Sequence, residues 1–428
     1  MKTAIYVPGL GDGLLDVSLT HYAKHFAKTL DKNEEDKKYQ YSVKFEKTTF
    51  DPNQDEHCEV AIITKNKANS SEPGEVVYKI YEYAYEEEFL KNYNNKNILI
   101  KALRLCWGIF KMIPVFFLSV AKAKGLNKKQ KRQSLYFFFI LISLSTLIFF
   151  LLPSILAIIL DNFAGIRNSI SLTLHEKIKF EVDHNNILYS RFIDYTRGVI
   201  VFFKNFSHYS ISIASSMALL YPRFQEKLSL ASTEFLCVHY YLKYGEEKAK
   251  LIGGLSNLVE KISEKETDYT DLEIHAHAFG SVIAIDTLFP KSQNQVDKRV
   301  RKEVTQLLTI GCPFDFIRVY YPNYFNGREA AVNEIKNWFN INCELDVLSS
   351  NFRNDSENEF GDEKICPGNL KPLNITFEVI DSNSSGLLDR MLLLNFKTSS
   401  LYWDKDPNGL SFFTNYINKR SSYENNRN

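Results

Sequence analysis

Apolar residues run in short blocks through most of this chain. Residues 4–7 form one such block, which breaks at Pro8-Gly9-Leu10-Gly11-Asp12-Gly13. A run this short, closed by proline and glycine, predicts a buried strand and a tight turn. Val17, Leu19, Tyr22, Phe26 and Leu30 then recur at helical spacing and predict a helix over 17–30. Residues 41–50 alternate, with Val43, Phe45 and Thr48 expected to face inward, and 59–64 and 76–85 read as further strands. The charged or Ser/Asn-rich stretches 31–38 and 65–73 read as solvated loops. Downstream, 228–262 predicts one or two long helices with a break at Gly253-Gly254, followed by a strand at 272–277 and a buried apolar helix. Strands are predicted at 304–310, 338–341 and 376–380. Strands alternating with helices predict an α/β fold built on a mostly parallel sheet with helices on both faces.

One stretch departs from this pattern. Residues 134–160 carry no charged side chain. As a helix they would span roughly 40 Å, more than the ~30 Å core of a bilayer. Residues 105–121 are a weaker candidate, interrupted by Lys111 and Pro114, and a basic loop (Lys122, Lys124, Lys128, Lys129, Lys131, Arg132) joins the two. Such a loop favours anionic lipid and the cytoplasmic face. The expectation is a hydrophobic helical insert over 99–165 that contacts the lipid bilayer through residues 105–160. The chain on either side of it would lie on one, cytoplasmic, face of the membrane. Residues 199–220, broken by Lys204, Asn205 and His208, fit a buried or interfacial helix better than a further span.

Composition narrows the function classes. With 52 Lys and Arg against 51 Asp and Glu the net charge is +1, which offers no field for nucleic acid. The six cysteines are scattered with no CxxC pair, which argues for free thiols and against structural zinc. The opening residues do not read as a signal peptide, because their apolar run is too short. No cofactor or metal is expected: the glycine turn at 9–13 lacks the spacing of either phosphate-binding motif.

The candidate chemistry lies at 272–285. Here a strand, a turn of small residues and an apolar helix follow one another, the layout of a nucleophile elbow. The frame is Ala276-His277-Ala278-Phe279-Gly280, and alanine fills the nucleophile's slot. Alanine has no lone pair or ionisable proton with which to attack a carbonyl. His275 and His277 lie two apart on the strand and face one side; with no third ligand spaced nearby they read as a structural pair. Ser281, in the helix's first turn, reads as a small packing residue.

These residues resemble the α/β-hydrolase superfamily, in particular its bacterial lipase and esterase-like members. The resemblance rests on Val7-Pro8-Gly9-Leu10-Gly11, the elbow frame, Gly311-Cys312-Pro313-Phe314-Asp315, and the segment from Trp338 through Asn342 to Asp346-Val347. These marks occur in family order and cover most of 1–60 and 270–405. The resemblance implies an α/β-hydrolase-like domain formed by 1–98 and 166–428, interrupted by the insert. It assigns Ala278 to the nucleophile position, the backbone N–H groups of Leu10 and Phe279 to the oxyanion hole, and Asp346 to the acid, with Asp355 and Asp381 as rivals. The base should follow the acid, a few residues before Tyr402-Trp403, where this chain has Thr398 and Ser399. None of its nine histidines lies beyond His277. Without an imidazole even a serine would lack its proton acceptor. The sequence therefore reads as a pseudoenzyme acting through a protein partner or a lipid or acyl ligand. The alternative is a membrane-bound serine lipase or esterase whose nucleophile has been replaced by Ala278. Asp346, freed of a histidine, would cap a loop or pair with an arginine such as Arg353.

Overall fold

In the computed structural model the first apolar block becomes strand β1 (Lys2–Val7), the fourth of eight strands in one sheet. The residues described are 1–10, 18–34, 38–50, 57–67, 73–94, 107, 114, 117, 237–243, 245–291, 298–328, 335–343, 346, 348–353, 370–377, 402–404 and 406–425. The chain divides into two compact units. Met1–Lys96, Pro114–Tyr136 and Thr233–Asn428 form one, and Asn97–Ile113 with Phe137–Ser232 form the other. The eight strands all belong to the first unit, and Trp107 is the only described residue of the second.

After β1 come α1 (Ser18–Asn33), β2 (Tyr39–Thr49), β3 (His57–Lys67), β4 (Glu75–Glu82) and α2 (Glu86–Asn94). Beyond residue 236 follow α3 (Gly245–Lys265), β5 (Leu272–His277), α4 (Phe279–Leu288), α5 (Lys298–Glu303), β6 (Val304–Ile310), α6 (Phe314–Tyr320), β7 (Asn337–Cys343), β8 (Leu373–Phe377) and α7 (Phe413–Asn425). The strand order is β2-β3-β4-β1-β5-β6-β7-β8. β3 runs antiparallel to both its neighbours, and every pairing from β4 to β8 is parallel. The fold is thus mixed α/β with a mostly parallel sheet.

The strands at the centre are buried on both faces, as parallel strands must be when helices cover them. On one face Ala4 and Tyr6 pack with Tyr22 and Phe26 of α1 and with Phe413 and Tyr416 of α7. On the other, α3 packs on α4 and α5, and Trp338 of β7 stacks on Phe289 beyond α4. Each face also holds a buried ionic network. Glu273 of β5 takes both nitrogens of the Arg420 fork, at 2.7 and 3.1 Å, and the Tyr78 hydroxyl at 2.8 Å. Asp286 of α4 accepts from Arg328 and Tyr324, from Tyr241 at 2.8 Å and from Lys248 at 2.8 Å.

Three expectations are corrected. Gly253-Gly254 does not break the helix: α3 runs through both. A Cβ at Gly254 would collide with the Tyr83 hydroxyl, which donates to Leu251 O at 2.8 Å. That glycine admits a tyrosine rather than a turn. Phe45 does not face inward but is 38% exposed, because β2 is the sheet's edge and the burial given by α1 and the core fades beyond Val43. The membrane-associated placement is corrected as well. Among the described residues no helix is long and apolar enough to cross a membrane. A crossing needs about 20 mostly apolar residues in one helix; the longest described helix, α3, carries Glu246, Glu247, Lys248, Lys250, Glu260, Lys261, Glu264 and Lys265. The runs at 105–160 and 199–220 lie outside the described residues, apart from Trp107, Pro114 and Phe117.

Candidate functional site

The elbow lies at the carboxyl end of β5. Residues 272–290 are buried throughout with one exception, Ala278, which is half-buried. Its backbone sits at φ 45°, ψ −116°, between the last strand residue and the first turn of α4. Side chains rarely adopt this region, because Cβ crowds the neighbouring carbonyl. Two hydrogen bonds hold the turn: Ala278 N–H donates to Ile310 O at 2.7 Å, and Ser281 N–H donates to Ala278 O at 3.1 Å. The Ser281 hydroxyl donates back to Ala276 O at 2.8 Å, so it serves the turn itself. An alanine in such a conformation costs about 1–3 kcal/mol. Ala278→Gly is therefore expected to stabilise the fold by about 1 kcal/mol, after allowing for glycine's greater freedom in the unfolded chain. Thermal melts of the two proteins would show it, and an unchanged or lower Tm would argue that no strain is held there.

Gly280 brings the elbow against β1. A Cβ on it would stand 2.5 Å from Pro8 O and inside contact distance of Val7 O. Pro8 O also accepts from the Tyr85 hydroxyl at 3.0 Å. Phe279 turns its ring into an aromatic cluster, stacked on Phe89 at 6.0 Å and edge-on to Tyr241 at 5.1 Å. Leu10, partly buried, follows Pro8-Gly9 in the adjoining turn, and 11–17 lie outside the described residues.

On the other side of β5, β6 is followed directly by Gly311, with φ +63°. Its ideal Cβ position lies 2.9 Å from the Tyr402 hydroxyl and 3.1 Å from Asp346 Oδ2. Asp346, buried just past β7, accepts the Tyr402 O–H on Oδ2 at 2.7 Å and Leu348 N–H on Oδ1 at 3.0 Å. The residue that the resemblance assigns as the acid is thus engaged by a phenol. Burial, and then the nearby Asp346 carboxylate, push the Tyr402 hydroxyl well above the usual tyrosine range. It keeps its proton and acts as a donor, so it cannot take a proton from a nucleophile. Cys312, beside Gly311, is also buried, and burial pushes its thiol up, away from the thiolate that nucleophilic sulfur requires.

The two elbow histidines face the same side of β5 and have different neighbours. His275 donates from Nε2 to Glu273 Oε2 at 2.9 Å, and its Nδ1 lies 2.7 Å from the Tyr22 hydroxyl. His277 lies beside the Trp403 and Tyr402 rings, at 5.1 and 5.8 Å between centroids. Among the described residues no group of three His, Cys, Asp or Glu side chains could hold a metal ion.

The structure therefore gathers Ala276, His277, Ala278, Phe279, Gly280 and Asp346 around the ends of β5, β6 and β7. Asp355, Asp381, Thr398 and Ser399 lie outside the described residues. Sequence reasoning missed Tyr402 as the partner of Asp346. The only available signal was the Tyr402-Trp403 pair, and local patterning does not give a residue its long-range partner. The chain matches no family model, no curated protein and no solved structure, so the chemistry of this site rests on its own geometry.

Proposed function

We propose that this is an α/β-hydrolase-like protein, similar to lipases and esterases, that has no acyl-transfer chemistry of its own and acts by binding a protein partner or a lipid or acyl ligand. The observation that carries the reading is Ala278. It holds a backbone conformation that is costly for any side chain, at a strand-to-helix turn where a hydrolase would place its nucleophile, and it presents only a methyl group. Further support comes from the acid position after β7, where Asp346 is held by a protonated phenol. No histidine follows the elbow in the sequence. Loss of the nucleophile, loss of the base and retention of the turn belong together in a binding protein.

The second reading is a serine ester hydrolase whose nucleophile has been replaced. The half-buried tip at Ala278 and the retained acid favour it. Ala278→Ser separates the two. The binding reading expects neither the wild-type protein nor the variant to react with a fluorophosphonate probe or to turn over p-nitrophenyl esters above the rate in buffer. Rapid labelling of the folded variant would establish the second reading instead, and robust turnover by the wild type would remove the first.

A further inference from the structure

Strand β2 closes one edge of the sheet with eleven residues, the other edge strand, β8, having five. Its inner side pairs along its whole length with β3, from Tyr39↔Lys67 to Thr49↔His57. Among the described residues no strand pairs with its outer side, and the one edge group taken by a side chain is Tyr41 N–H, which donates to Asp31 Oδ1 at 3.2 Å near the start of the strand. At the middle of the strand Lys44, Phe45, Glu46 and Lys47 are exposed in succession, so both faces are open there as well as the edge. A row of unpaired N–H and C=O groups is a template for another strand. Lysines commonly guard such an edge; here Lys44 and Lys47 flank an exposed Phe45 that a partner strand would cover.

We infer that the outer edge of β2 pairs antiparallel with β2 of a second copy of this chain, across a twofold axis at Phe45, making one sheet continuous through both chains. The choice of a second copy comes from the strand's own charges. In a twofold antiparallel pair the interface is self-complementary. Opposed residues must share a sheet face, so the axis has to pass through a residue pair rather than between residues. An axis at Lys44 would set lysine against lysine, and one at Glu46 would set glutamate against glutamate. Like charges directly opposite are destabilising. An axis at Phe45 sets Phe45 against Phe45, Lys44 against Glu46 in both directions, and Ser42 against Thr48. Within one chain Lys44 Nζ already lies 2.7 Å from Glu46 Oε1, so the dimer would join two such pairs into an alternating group of four. The phenylalanine left exposed in the monomer gains an aromatic partner, a favourable cross-strand pair.

The test uses the full chain in sedimentation equilibrium. The wild type should have about twice the 49.6 kDa of one chain. Lys44→Glu and Glu46→Lys should each weaken association at least tenfold while leaving the circular dichroism spectrum unchanged. The combined Lys44→Glu/Glu46→Lys protein should recover the wild-type dissociation constant, since opposite charges again face each other. Under oxidising conditions Phe45→Cys should form an inter-chain disulfide, which fixes the axis. A monomeric wild type, single exchanges that leave association intact, or a double exchange that does not restore it would each overturn the inference. So would a dimer that Phe45→Cys cannot cross-link.

Discussion

Arg420→Met is expected to destabilise the fold by about 3–5 kcal/mol, the usual result of removing one partner from a buried ion pair. Glu273 is fully buried, and Arg420 meets both its oxygens from α7, 147 positions away along the chain. Burial alone would raise the Glu273 carboxyl, but the Arg420 charge, helped by the hydrogen bond from His275, outweighs it and holds the carboxyl well below the usual range. The sign of the pH dependence follows. In the native protein the ionised carboxylate stabilises the fold above the unfolded-state value near pH 4.5, and that contribution is lost as pH falls through the folded value. Without Arg420, burial dominates and the carboxyl shifts upward. Its contribution then falls as pH rises from 5 to 7, the opposite slope. Urea unfolding at pH 5 and pH 7 should find Arg420→Met more severely destabilised at pH 7. Glu273→Gln combined with Arg420→Met should lose less than Arg420→Met alone. A single-variant loss under about 1 kcal/mol, or a double variant equal to the sum of the two singles, would show that the pair is not coupled as the geometry implies.

Gly280→Ala is the second large effect, at about 3 kcal/mol, the upper end for overpacking. The obstructing atoms are the backbone oxygens of Val7 and Pro8, and they cannot swing aside as a side chain could. To admit a methyl group, either the end of β1 must move or α4 must rise from the sheet. Gly253→Ala supplies the control. A Cβ there meets nothing within 4 Å on the exposed side of α3, so removing a helical glycine should stabilise by about 0.5–1 kcal/mol. Opposite signs in paired thermal melts would confirm that Gly280 is required by the close approach of β1. Equal and small effects would show that the elbow tolerates displacement.

Much of the fold can be read from local pattern. β1 is a short apolar run ended by proline, and β6 is a mostly apolar run ended by glycine at the predicted bounds of 304–310. β5 alternates Leu272, Ile274 and Ala276 with Glu273, His275 and His277. The strand, tight turn and apolar helix over 272–288 were legible for the same reason, since all three are local signals. What was not legible depends on distant partners. Gly254 looks like a helix breaker until Tyr83, 171 positions earlier, is seen against it. Phe45 looks like an inward position until β2 proves to be an edge. Tyr402 resembles one more core aromatic until its hydroxyl is found on Asp346. Alternation tells which side of a strand faces the core, and it carries no information on what waits there.

The position of β1 sets the timing of assembly during synthesis. Its neighbour β4 follows within about 80 residues, but β5, on its other side, comes about 270 residues later. At roughly 5–20 residues per second, β5 emerges on the order of 15–50 s after β1. For that interval the middle of the sheet has one hydrogen-bonding edge unfilled, and Tyr6 waits for the elements that will cover it from the C-terminal half. The whole segment from Asn97 to Ser232 is made in the meantime. The elbow therefore belongs to the last part of the sheet to close, and a nascent chain stalled before residue 272 would offer chaperones a central strand with one side bare.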